Sequence, residues 1–308
     1  MLCNSDFFSR ALLVLILPFR LTWGAEPLRN EFQIPSALLT GKPVPVWRGG
    51  LIALSPIDNA ADPGILVVDG NGSSRQIKVE APGAVYVLAS DAVKLPDGRL
   101  AVATWMVSGS GQASAGLHLI GADGKVAAIR RTNPFRPQLV TVDNLGKIWL
   151  FGQNLAEGMD GLNSDHFVFQ VLDSNGGLLE THTLSSTISR TRLIPLAPGL
   201  QEGQSALLAA ADRVGLYIAR LRQWREYSTS KSGDRLGEWT IDPPTVVVDG
   251  KAQALSLMGM AFTQSGRLFA FFYNRTDPLG TAGYYELDRK TSAWRLSTQI
   301  DSTRYARL

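Results

Sequence analysis

Cysteine is almost missing from this chain: Cys3 is the only one in 308 residues. It lies within the first two dozen positions, so the remainder contains no thiol, which excludes disulfides, thiolate metal sites, covalent haem attachment and a cysteine nucleophile there. Histidine is nearly as scarce. His118, His166 and His182 fall in no H-x-x-x-H or H-E-x-x-H spacing, which leaves a zinc site without support. Charge of one sign is also lacking, since the formal net charge is +3 and no block of Lys or Arg occurs. A nucleic-acid partner therefore has no electrostatic footprint. The G-x-S-x-G elbow is absent, and neither phosphate-binding glycine pattern occurs as a strand-to-helix unit.

Long apolar runs are missing too. The longest near the start, Ala11 to Phe19, has nine residues, interrupted by Pro18 and followed by Arg20, whereas a spanning helix needs about 20. This stretch reads as the core of a secretory signal peptide over residues 1–24, cleaved after Gly24, with an uncleaved anchor as the alternative. Its removal takes away two of the 30 basic residues and one of the 27 acidic ones, leaving a formal charge of +2. The expectation is an exported protein, periplasmic or extracellular, with a single domain over residues 25–308 and no transmembrane segment after cleavage.

What the chain does have is glycine, with 30 residues, and short stretches rich in Val, Ile, Thr and aromatics. Such a composition favours many short strands joined by tight turns. An internal repeat organises them. From Val85 to Thr132 the chain reads as four strands in sequence, with Asp-Gly turns at the first and third hairpins (Pro96-Asp97-Gly98-Arg99 and Ala122-Asp123-Gly124-Lys125). The pattern recurs at 137–184. Gly50, Gly98 and Gly146 are 48 residues apart, and Gly72, Gly124 and Gly176 are 52 apart. A fifth unit is clear at 255–299, and a degenerate one is read between as TRLIPLAP, SALLAAA, GLYIARL and REYSTS. The expected fold is all-β: a β-propeller of four-stranded antiparallel blades, five preferred and six as the other count, with a twisted β-sandwich as the alternative architecture.

The hairpins Leu95 to Leu100, Val142 to Trp149 and Thr263 to Leu268 carry a D-x-x-G-(K/R)-(I/L) type of turn. In this the chain resembles the broad superfamily of NHL-like, SMP-30-like and related bacterial propellers. The resemblance implies a fold and no particular chemistry, because that superfamily includes sugar-binding, enzymatic and purely interacting members.

In such a blade the first and third hairpins share one face, here built of short turns. The second hairpins and the blade-to-blade connections share the other, and loops on a rigid scaffold are where function concentrates. Trp105, Arg136, Gln153, Asn154, Arg192, Tyr273 and Arg275 are placed on that face as candidate ligand-binding residues. Aromatic, amide and guanidinium groups together suit a small polar ligand or a glycan. Asp160, Asn163 and Asp165, in a glycine-containing loop, are candidate oxygen ligands for Ca²⁺ without the EF-hand spacing. Asp160, Asp165 and His166 are the catalytic candidates. A glycosidase needs two facing carboxylates. On the expected inner strands only Asp91 and Asp143 are acidic, and Asp143 reads as the first residue of a turn.

The leading expectation is an exported, monomeric binding or interaction module that recognises a small polar ligand, a glycan or an envelope protein. The alternative is a hydrolase or lyase on the same scaffold, directed at a lactone or a glycan and Ca²⁺-dependent.

Overall fold

A computed structural model describes residues 46–47, 51–54, 64–68, 73–154, 167–183, 205–218, 222–231, 234–263, 265–274 and 281–301. No helix occurs among them, and hence none long and apolar enough to cross a membrane. The expected leader over 1–24 lies outside the described residues.

Among the described residues, five four-stranded meanders follow one another. The first comprises β1 (Val46–Trp47), β2 (Leu51–Leu54), β3 (Gly64–Val68) and β4 (Ser74–Lys78). The second comprises β5 (Ala84–Lys94), β6 (Leu100–Ser108), β7 (Ala113–Ile120) and β8 (Val126–Arg131). The third has β9 (Phe135–Val142), β10 (Ile148–Asn154), β11 (Phe167–Leu172) and β12 (Leu178–Thr183). The fourth has β13 (Ala206–Ala209), β14 (Arg213–Ile218), β15 (Gln223–Ser228) and β16 (Arg235–Thr240). A two-stranded ribbon, β17 (Thr245–Val248) and β18 (Lys251–Ala254), precedes the last meander. That meander holds β19 (Ser256–Phe262), β20 (Leu268–Tyr273), β21 (Thr281–Asp288) and β22 (Ala293–Asp301).

The second strand of each of the last four meanders is almost continuously apolar because neighbours cover both of its faces. In β6, Leu100 and Val102 pack with Ile65, Val67 and Ile77 of the first sheet. The intervening Ala101 and Ala103 pack with Val140, Ile148 and Leu150 of the third. In β10, Trp149 and Phe151 turn to the fourth sheet and meet Val214 and Leu216. Phe169 joins them edge-on to Tyr227, with centroids 4.8 Å apart. The fourth and fifth sheets meet through Trp224, Leu268 and Leu287. Each large side chain buried this way contributes about 1.5–3 kcal/mol. Along the ring β5 lies beside β9, β9 beside β13 and β13 beside β19. Meanders stacked face to face with their first strands side by side make this an all-β propeller of four-stranded antiparallel blades.

One unit departs from its expected reading. The segment SALLAAA was assigned to a second strand, but Ala206–Ala209 is the first strand of its sheet, so every later strand moves by one. TRLIPLAP lies outside the described residues. REYSTS falls in the third strand, and Arg235–Thr240 closes the blade. The turn that hid this shift lacks glycine: Ala210 N donates to Arg213 O at 2.8 Å across Ala211 and Asp212.

The short-turn end is tied from blade to blade. Asp143 Oδ1 accepts hydrogen bonds from Leu145 N and Lys147 N, both at 2.9 Å, and its Oδ2 from Trp149 Nε1 at 2.9 Å. Gly146 supplies the positive φ, +77°, that completes this turn. The basic residue just before the second strand then reaches the next blade. Arg99 donates to Ser174 O at 2.8 Å, and Lys147 to Thr229 O at 3.4 Å. Between the last two blades Glu226, fully buried, accepts from Arg213 Nη1 at 3.1 Å and from Arg289 Nε at 2.9 Å.

Candidate functional site

The opposite end is reached by the second hairpins and the connections. The Thr132 to Pro134 connection enters β9, and its polar groups are used up in holding it there. Asn133 Oδ1 accepts from Ala115 N at 2.9 Å, and Thr132 Oγ1 donates to Phe135 O at 2.8 Å. Phe135, 1% exposed, anchors the strand in the interface between the second and third blades. Arg136 is the next residue. Its guanidinium lies over the Trp105 ring, 4.3 Å from the centroid.

The described candidates on this face are strand residues. Arg136 belongs to β9, Gln153 and Asn154 end β10, Trp105 lies within β6, and Tyr273 ends β20. Gln153 pairs with Arg136, and Asn154 with Phe135. Tyr273 sits at the same end of the fifth sheet, paired with Ser256 and Ala282. Asn274 beside it is 2% exposed. The reason is pairing length: the second hairpin between Ser108 and Ala113 has only four residues, and ladder bonds run almost to the rim. Arg192, Arg275, Asp160, Asn163, Asp165 and His166 lie outside the described residues.

Gly152 is a residue that the sequence reading did not single out. A Cβ there would stand 1.9 Å from Arg136 O and 2.9 Å from Pro137 Cα, so only glycine lets β9 approach. Next to it the register slips: Phe151 pairs with Leu139 and Gly152 with Pro137, leaving Gln138 as a bulge. Equivalent slips occur in β5 between Ala89 and Asp91 and in β19 between Leu257 and Gly259. Bulges re-aim side chains and gather at functional rims.

Arg136 carries an electrostatic load. Burial pushes its pKa below the ordinary arginine value, and its buried Nε has no hydrogen-bond partner among the described residues. The carboxylates nearby do other work. Asp91, 5% exposed on the inner strand, accepts from Val140 N of the neighbouring inner strand at 2.8 Å and from Ala92 N at 2.9 Å. It thereby satisfies an open strand edge. Asp143 is a turn residue at the far end. Among the described residues, therefore, no second carboxylate of an inner strand faces Asp91. No cluster of three or more His, Cys, Asp or Glu side chains is found among them either. His118 is buried on β7, 2.9 Å from Thr104 Oγ1, and desolvation lowers its pKa to about 4. It is a neutral core residue.

No protein-family model matches the chain. No curated protein matches it in sequence. Among solved structures it is similar to an exo-β-1,3-galactanase variant from Phanerochaete chrysosporium with β-1,3-galactotriose, at 10% identity and a TM-score of 0.48, covering 85% of this chain and 64% of that one. This chain therefore spans less than two thirds of the galactanase. It is also similar to a proposed 6-phosphogluconolactonase from Bacteroides fragilis, at 9% identity and TM-score 0.41, covering 81% of each chain. A levansucrase variant from B. megaterium gives 9% identity and TM-score 0.40, over 85% of this chain and 83% of that one.

Proposed function

We propose that this is an exported propeller that acts as a binding module, taking a small polar ligand or glycan at the loop-rich end where Trp105, Arg136, Gln153 and Asn154 meet. The observation that carries it is Arg136 lying over Trp105 of the neighbouring blade, 4.3 Å from the ring centroid, while Gln153 and Asn154 end β10 opposite Arg136 and Phe135. Groups held by a ladder are preorganised, so little ordering cost opposes binding. The one carboxylate on a described inner strand, Asp91, accepts from Val140 N and Ala92 N, which favours recognition over hydrolysis. Export follows from the apolar leader before Gly24, and the D-x-x-G-(K/R) turns support a place among NHL-like and SMP-30-like propellers.

The test is thermal unfolding of the purified full chain against sugars, lactones and organic acids, with Ca²⁺ or EDTA. A ligand of the native state raises the midpoint by mass action. The expected result is a shift that disappears in the double variant Gln153→Ala, Asn154→Ala. A shift untouched by those changes would move the site elsewhere. Ca²⁺-dependent turnover of a lactone or glycan would replace the binding reading with the hydrolase or lyase one, and with it Asp160, Asp165 and His166.

A further inference from the structure

We infer that Arg136 is the anchor for the carboxylate of a small organic acid, with Trp105 as a positioning residue behind the guanidinium. This rests on the loop-rich end being the recognition face, and adds the charge of what is recognised.

The geometry excludes the simpler picture of a sugar stacked on that indole face. Arg136 already covers it, 4.3 Å from the ring centroid, so the surface offered outward is the guanidinium itself. A guanidinium has five N–H donors. Four arginines of the short-turn end commit theirs to carboxylates: Arg99 to Asp97, Arg213 to Asp212 and Glu226, Arg267 to Glu286, and Arg289 to Glu226, whereas Arg75 and Arg130 donate to carbonyls. Arg136 has no such carboxylate among the described residues, and its Nε is buried without a partner. A partly desolvated cation without an anion is an unfavourable arrangement, and a ligand carboxylate relieves it through two parallel, charge-assisted hydrogen bonds. The surroundings hold the group still. Phe135 is locked in the core on one side of it, the Gln138 bulge and Pro137 lie on the other, and the bare Gly152 closes the strands beneath. A single guanidinium matches the one charge of a carboxylate.

The experiment is calorimetric titration of the full chain, at constant ionic strength, with galacturonate against galactose and gluconate against sorbitol, and with inorganic phosphate as a third arm. The expected result is binding of an acid about tenfold or more tighter than its neutral counterpart, with the preference lost in Arg136→Gln. Trp105→Phe keeps the preference, whereas Trp105→Leu weakens the acid and leaves the neutral counterpart unchanged. Should Arg136→Gln not fold, Arg136→Lys keeps the charge without the planar fork, and a reduced but not abolished preference is expected. Equal binding of acid and neutral sugar, an acid preference that survives in Arg136→Gln, or no acid binding at all overturns the inference. Phosphate bound as tightly as the acids overturns the carboxylate assignment. A neutral sugar that binds without acid preference and is lost in Gln153→Ala overturns this inference alone and leaves the recognition face standing.

Discussion

The two ends of the propeller treat their arginines in opposite ways. At the short-turn end Arg213 and Arg289 converge on the fully buried Glu226, and Arg99 is shared between Asp97 and a carbonyl of the next blade. At the loop-rich end Arg136 rests on Trp105 and meets no described carboxylate. Partly desolvated guanidinium groups occur at both, so burial alone does not separate structure from recognition. The separation lies in whether the chain itself supplies the counter-charge. Among the described residues, one end supplies its own counter-charges and the other supplies none to Arg136.

The largest effect expected from breaking that contrast is at Glu226. Glu226→Ala removes the buried acceptor shared by Arg213, Arg289 and Trp224 Nε1 and should cost about 3–5 kcal/mol in urea unfolding. A loss below ~1 kcal/mol would mean that the blades are not fastened there. Next comes pH. The folded-state pKa of His118 is depressed from 6.5 to about 4, so below 6.5 the unfolded chain takes up a proton that the folded chain refuses. Stability is full above that value and falls by on the order of 3 kcal/mol as the pH drops to about 4. His118→Gln should flatten this slope, and a persistent slope would point to other groups.

Gly152→Ala should cost about 1–3 kcal/mol by forcing β9 and β10 apart, and should weaken ligand binding through Arg136. Unchanged stability with unchanged binding would show that the close approach is not needed. Smallest in stability is Arg136→Gln, at under ~1 kcal/mol, the range of a partly exposed cation–π contact. If it destabilises the chain as much as Glu226→Ala does, the loop-rich end is fastened like the other and the contrast fails.

Much of the architecture was legible from periodicity. The 48-residue spacing of Gly98 and Gly146 marks first hairpins, because a tight turn needs the positive φ they adopt, +87° and +77°. The role of Asp143 was legible for a similar reason, since a short acceptor preceding such a turn caps its N–H groups locally. The fourth blade was misread by one strand, because the turn at Ala211 and Asp212 has no glycine to announce it. At the candidate site the residue types were legible and their setting was not. Arg136 and Gln153 looked like loop residues, yet each lies in a ladder whose extent depends on its partner strand.

Hydrophobic alternation, turn chemistry and the repeat are properties of neighbouring residues, so the linear chain was enough to specify an all-β protein of repeated four-stranded meanders. Contact between residues far apart in the chain is another matter. Trp105 and Arg136 belong to different blades, and Gly152 is bare because a backbone sixteen residues away passes 1.9 Å from where its Cβ would be. Only the stacking of blades brings a cation to an indole, since that depends on which faces meet in space.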